Sequence, residues 1–161
     1  MSHLLIFLVL TFSSIGSIDA NDSIPPMNKQ IVEYVESVMG QQVDRGECWD
    51  LANQALKLVN AFWDGMYIYG KPVDFKTQDV YPGDILHFKN AVVKRTEGFA
   101  TITETMEQHT AIVLKVYAKG MYELAHQNTS FSGRKVGASP IDLNGLVKGK
   151  VTIYRPVPND L

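Results

Sequence analysis

A chain of 161 residues, 45% apolar and 20% charged, has enough material for one globular domain with its own core, without disulfides or a metal to hold it. The formal charge of −2 and the lack of any Lys/Arg cluster leave no electrostatic footprint for nucleic acid or an anionic membrane. One cysteine and four histidines, with no two at ligand spacing on one helix, exclude a zinc site, and no cofactor is expected.

Residues 1–20 stand apart. The run Leu4-Leu5-Ile6-Phe7-Leu8-Val9-Leu10 is followed by small and polar residues ending at Ala20. This pattern predicts a secretory signal peptide over 1–20 and a single domain over 21–161, secreted or extracytoplasmic. An apolar run of about ten residues is too short to span a bilayer, so no stable membrane association is expected after its removal. The domain is expected to be a monomer. An unpaired thiol in an exported protein points to a reactive group or an intermolecular bridge, against the commoner buried and inert cysteine.

Pro25-Pro26 precedes a segment in which Ile31, Val35, Val38 and Met39 recur at helical spacing, ending near Gly40. A second helix is predicted from Cys48 to about Phe62. Cys48, Leu51, Ala52, Ala55, Leu56 and Val59 share one of its faces, which points the sulfur the same way as the core. Asp44 is a candidate acceptor for the helix's first N–H groups. Trp63 to Val80 reads as an aromatic loop broken at Gly65 and Gly70. Its aromatic residues either rim a cleft or cover the core.

From Tyr81 the periodicity changes. Pro82-Gly83 is a turn and Asp84-Ile85-Leu86-His87-Phe88 enters a first strand. Further strands are predicted over 99–105, 109–118, 121–128, 135–142 and 150–155, with Lys119-Gly120 as a tight connection. Helices followed by a meandering antiparallel sheet of about five to six strands define an α+β fold.

The chemistry gathers on few residues. A thiol at a helix start meets N–H groups without intrahelical partners and the positive end of the helix dipole, both of which favour a thiolate. His109, opening a buried strand, is the candidate base. A catalytic imidazole needs a group to fix its tautomer. Alternation places Tyr122, Leu124, His126 and Asn128 on one strand face and Met121, Glu123, Ala125 and Gln127 on the other. His126 and Asn128 are thus the candidates on one face, Gln127 would have to come from the opposite side, and the hairpin register decides. His87 reads as a surface or core-edge residue, and Trp49 as one that packs on the sheet or roofs the cleft.

Gly46-Glu47-Cys48-Trp49 with Ala52, then Tyr81-Pro82-Gly83-Asp84-Ile85-Leu86-His87-Phe88, then His109-Thr110-Ala111-Ile112-Val113, then His126-Gln127-Asn128 follow one another along the chain. Their order and spacing resemble the papain-like NlpC/P60 and CHAP cysteine peptidases and amidases. The run from Gly-Glu-Cys-Trp to the terminal Tyr154-Arg155-Pro156 is also similar to the cysteine-proteinase-fold domain of fungal actin-patch proteins. The resemblance implies a papain-like fold with Cys48 as nucleophile, His109 as general base and later acid, and His126 or Asn128 as orienter. It implies amide or peptide substrates, including peptidoglycan-type cell-wall peptides. Trp49, Trp63 and Tyr67 are the candidate substrate-binding residues.

Glu47 works against a thiolate, because a carboxylate beside a thiol disfavours its ionisation unless the side chain turns away. It motivates the alternative of a catalytically inactive peptide- or glycan-binding module that holds its ligand with Trp63, Tyr67 and Tyr69. A thiol acyltransferase is a further alternative, since the same dyad can pass an acyl group to an amine. Asn21-Asp22-Ser23 and Asn128-Thr129-Ser130 match the glycosylation acceptor.

Overall fold

The computed structural model describes residues 24–160, so the predicted signal segment 1–20 lies outside the described residues. Helix α1 runs Pro26–Ser37, with proline in the first turn where its missing N–H costs nothing, and buries Asn28, Ile31 and Val35. Helix α2 runs Cys48–Leu58 and buries Cys48, Asp50, Leu51, Ala52, Ala55 and Leu56. Its N-cap is Glu47 rather than Asp44: Asp50 Oδ2 accepts from the Glu47 N–H at 3.0 Å, while Asp44 is exposed with φ 51°. The helix also stops before Phe62. Asn60 adopts φ 51° and the Ala61 N–H turns back to Leu56 O at 2.9 Å, which ends the helical ladder.

Six strands follow: β1 Lys71–Val73, β2 Ile85–Glu97, β3 Ala100–Ala118, β4 Met121–His126, β5 Gly137–Asp142 and β6 Leu146–Arg155. They form one antiparallel sheet in the order β1-β6-β2-β3-β4-β5. The main departure from expectation is length, since β2 and β3 make one long ribbon pairing Ile85 with Ile112 and Glu97 with Ala100. Asn90 is absorbed with φ 50° where the β2–β6 register shifts. Gly149 makes room for it, because a Cβ there would stand 2.1 Å from Asn90 O.

Strand alternation sorts the core into two layers. Ile85, Ile112, Ala125 and Tyr154 face α1 and α2, packing on Ile31, Val35, Leu51, Ala55 and Leu56. Leu86, Phe88, Ala111, Val113, Tyr122, Leu124 and Ile153 pack on the other face with Ile141 and Leu143. The helices therefore cover only one side of the sheet.

The Pro82-Gly83-Asp84 turn joins the layers. Asp84 is fully buried, and its carboxylate accepts from Asn28 Nδ2 at 2.9 Å, the Tyr81 N–H at 2.9 Å, and Arg155 Nε at 3.2 Å and a terminal guanidinium nitrogen at 2.9 Å. Arg155 also lies over the Tyr81 ring at 4.4 Å. Gly83, with φ +86°, passes so close to α1 that a Cβ would meet Asn28 O at 2.5 Å. Arg155→Ala, which leaves this carboxylate buried without its cation, is expected to cost about 3 kcal/mol in urea unfolding, whereas removing the exposed Lys57 should change stability little.

Candidate functional site

Cys48 is the first residue of α2 and is 8% exposed. What places it is the side chain of Gln127, fully buried on the helix-facing side of the sheet. Gln127 Nε2 donates to Val43 O at 3.0 Å and to Glu47 O at 2.9 Å, and its Oε1 accepts from the Val43 N–H at 3.2 Å. One carboxamide thus fixes both ends of the loop that enters α2 to the chain leaving β4. Arg134 crosses the same loop, donating to Arg45 O at 2.6 Å, and fits only because Gly46, at φ +82°, has no Cβ to strike it. The Glu47 carboxylate is drawn to this side, 3.2 Å from Arg134 and 3.1 Å from Asn128 Nδ2.

The thiol lies against β3 at Thr110. Burial pushes its pKa up, with Glu47 adding to the rise, while the backbone amides of Thr110, Trp49 and Cys48 itself pull the other way. Burial dominates, so the resting group is a neutral thiol. Thr110 is itself buried, and its Oγ1 shares a 2.9 Å hydrogen bond with the hydroxyl of Tyr69. Burial raises the pKa of that hydroxyl as well.

The neighbouring residue, His109, pairs with Phe88 and sits at the near end of a polar chain. His109 Nε2 and His126 Nδ1 are 2.9 Å apart, and His126 Nε2 is 2.9 Å from Ser139 Oγ. The rings of Phe88 and Phe131 flank the pair. Burial lowers the pKa of His109 to about 4 and that of His126 to about 3, with His87 opposing the charging of His109 and His109 that of His126. Both rings are therefore neutral at physiological pH. Of the two candidate orienters, His126 is the one bonded to His109. Asn128 has φ 59°, so strand alternation stops before it, and its amide reaches Glu47 instead.

The three aromatic candidates lie elsewhere. Trp49 sits beneath the Arg45 guanidinium at 5.9 Å, Trp63 stacks on Tyr69 at 6.1 Å, and Tyr67 stacks on His87 at 4.4 Å. Tyr69 is fully buried and cannot hold a ligand, and Trp63 packs with it on the core, whereas Tyr67 is exposed. His87 is a core-edge residue, buried beneath Tyr67, and its Nδ1 has no partner among the described residues. A cleft of about 560 Å³ opens along β3, with His109, His126, Asn128, Phe131 and Ser139 in its wall and none of Trp49, Trp63 or Tyr67. Ser139, and the part Gln127 plays in tying the α2 entry loop, are what sequence reasoning missed. Alternation put Gln127 opposite His126, and that placement on the helix side was the available signal. Nothing local marked Ser139.

Residues 26–161 match the AIM3/BBC1 cysteine proteinase-fold domain. The chain is similar to altered inheritance of mitochondria protein 3 of Debaryomyces hansenii, at 31% identity over 146 residues. That alignment takes in 80% of this chain and 16% of the relative, so the chain spans about a sixth of that protein's length. Among solved structures it is similar to that of Ly7917, at TM-score 0.48 and 14% identity over 79% of this chain and 62% of that one. It is likewise similar to Ly7917 with the hydrolyzing product of MDP, at TM-score 0.47 and 15% identity over 80% and 63%.

Two outcomes are expected of these groups. The histidine pKa values are depressed relative to the unfolded value of about 6.5, so the unfolded chain takes up protons first and stability falls as pH drops below about 6.5 toward 4. Urea midpoints measured between pH 7 and pH 4 should show that fall, and a His109→Gln/His126→Gln protein should show a shallower one. Gln127→Ala, which strands three backbone groups of the α2 entry loop, should cost about 2 kcal/mol or more and accelerate alkylation of Cys48.

Proposed function

The chain belongs to the AIM3/BBC1 cysteine proteinase-fold domain family, and from that premise we propose that it is a thiol-dependent hydrolase of amide or peptide bonds. Cys48 is the nucleophile, His109 the general base and His126 the group that orients it. The observation that carries the reading is the His109–His126–Ser139 chain, with both contacts at 2.9 Å. Alternation turns the His109 ring to the sheet face opposite Thr110, the residue whose backbone meets the thiol, so proton transfer takes place around the edge of β3 at these two residues.

The tautomers follow from the bonds. For His109 to accept a proton at Nδ1, its Nε2 carries hydrogen and donates to His126 Nδ1. His126 Nε2 then carries hydrogen and donates to Ser139 Oγ. Since thiol and imidazole are both neutral at rest, the thiol proton moves to His109 as sulfur bonds to the carbonyl carbon, in place of a standing thiolate–imidazolium pair. The carbonyl electrons move to oxygen, and the amide donors at the start of α2 are positioned to hold the resulting oxyanion. The His109 imidazolium protonates the departing amine as the C–N bond breaks. Water, deprotonated by His109, then attacks the thioester carbon, the C–S bond breaks to release the acid, and His109 returns the proton to the departing sulfur. Cell-wall peptides are the first substrates to try, with the domain acting as an exported monomer.

A second reading, a peptide-binding module without turnover, is favoured by one observation: Cys48 is 8% exposed with a raised pKa, outside the wall of the cleft.

Release of amine from peptidyl-coumarin amides and from peptidoglycan stem peptides separates the two. The hydrolase predicts turnover that vanishes in Cys48→Ala, falls about 10²–10⁴-fold in His109→Ala, and falls less in His126→Ala. Turnover rises from acid pH as His109 loses its proton at about 4 and falls again at alkaline pH as the thiol ionises, because the departing amine then has no proton to receive. No turnover, with iodoacetamide alkylation of Cys48 indifferent to His109→Ala, leaves the binding module.

A further inference from the structure

The sheet has a gap beside the site. β3 pairs with β2 over its whole outer arm, from Ala100 opposite Glu97 to Ile112 opposite Ile85, without a register shift. On its other edge β3 pairs with β4 only from Ile112 onward, opposite Ala125. Among the described residues, 100–110 therefore have one edge in the ladder and one edge without a strand.

The cleft lies along that edge. Seven consecutive residues, Thr103 to His109, line it, which requires side chains from both faces of the strand and so places the cavity at the strand's rim. Its far wall is the turn after β4, Asn128 to Phe131, with Ser139 of β5. Arg95, one of the lining residues, pairs with Glu97 and Glu104 and reaches Pro140 O at 3.5 Å, tying the ribbon to β5.

The direction of the backbone groups follows from two contacts. The Val113 N–H and C=O bond to Asp84 O and the Gly83 N–H, both at 2.8 Å, so Val113, Ala111, His109 and Glu107 turn their amides toward β2. The intervening residues Glu104, Met106, Gln108 and Thr110 turn theirs to the open side. By the same alternation the Thr110 amide turns to the open side, where the thiol whose pKa it pulls down lies. Native sheets usually blunt such an edge with proline, lysine or a covering loop. The stretch Thr101-Ile102-Thr103-Glu104-Thr105-Met106-Glu107-Gln108 contains no proline and no lysine, and is rich in strand-forming threonine.

We propose that the uncovered edge of β3 from Glu104 to Gln108 is a docking rail for an extended peptide, which adds a strand by pairing with the outward amides and carbonyls of Glu104, Met106 and Gln108 and is led along the strand toward Thr110 and Cys48. Recognition is then chiefly of main chain, with side-chain selectivity left to alternate positions. The occupant is a single strand. A second copy of this chain could offer the same edge only with β2 attached to it, whereas the turn at Asn128–Phe131 closes the gap from the other side. The site names the substrate conformation of the proposed hydrolase and rests on that reading only for the cutting step. Docking itself needs no thiol.

The test uses the Cys48→Ala protein, so that failure of docking is read apart from failure of catalysis. The probe is a fluorescein-labelled, end-capped octapeptide of alternating threonine and valine, compared with two versions N-methylated at odd or at even residues. Fluorescence anisotropy should show saturable binding that weakens about tenfold or more in at least one methylated version, with slowed hydrogen exchange at Glu104, Met106 and Gln108. Gln108→Pro and Glu104→Pro, which remove outward N–H groups at an edge where proline is tolerated, should weaken binding similarly. Gln108→Ala, which keeps its amide, should bind like the parent. If either proline variant misfolds by circular dichroism, the methylated peptides decide alone. The proposal is overturned by no binding up to about 1 mM, by methylated peptides that bind like the parent, by protection elsewhere, or by self-association of the protein through this edge.

Discussion

A buried carboxylate organises this fold. Asp84 has no exposure, and an ionised carboxylate in that position persists only because every side of it is engaged: an amide from α1, a backbone N–H from its own turn, and a guanidinium from the end of β6. Those partners lie 56 residues before it, three before it and 71 after it in the chain. The same charge therefore ties the first helix, the entry to the sheet and the last strand to one point. The glycine before it and the arginine after it follow from that requirement, one for close approach and the other for charge.

Gln127 applies the same physics near the site. A carboxamide has two donors and two acceptor lone pairs, and here it uses them to tie the loop before the thiol to the strand that carries His126. Because Gln127 and His126 are adjacent residues of an extended chain, their side chains leave on opposite faces of the sheet. One holds α2 in place while the other holds the imidazole of His109. The consequence for chemistry is a buried, neutral centre. Desolvation raises the thiol and lowers both imidazoles, so charge separation is deferred until a substrate carbonyl arrives.

The long β2–β3 ribbon gives the molecule its asymmetry. Helices cover one face of the sheet, a smaller apolar layer occupies the other, and the outer arm of β3 is left with a free edge between them. A strand that is paired on one side only is a source of directional hydrogen bonds, and here those bonds run toward the residue that meets the sulfur.

Much of this was legible in the chain. Helical spacing located α1 and the buried face of α2, and alternation placed Tyr122 and Leu124 opposite Ala125 and Gln127, because burial on one face imposes a period that residues cannot hide. The motif order around Cys48, Pro82-Gly83-Asp84, His109 and His126 identified the cysteine-proteinase fold, matched by the family over 26–161. Other features depended on contacts distant in sequence. The cap at Glu47 and the left-handed turns at Asp44, Asn60 and Asn128 replaced the simplest local choices. The choice of His126 over Asn128 needed the strand to end where it does. Tyr69 and Trp63 read as cleft aromatics, yet the core claimed them, since apolar area gains more from burial than from a rim. Sequence by itself determined which residues are chemically able and which face each regular element buries, since both are properties of one residue or one period. Tertiary structure alone decided which of them meet, how far burial shifts their protons, and where the sheet is left unpaired, because those depend on register and desolvation between segments that are far apart along the chain.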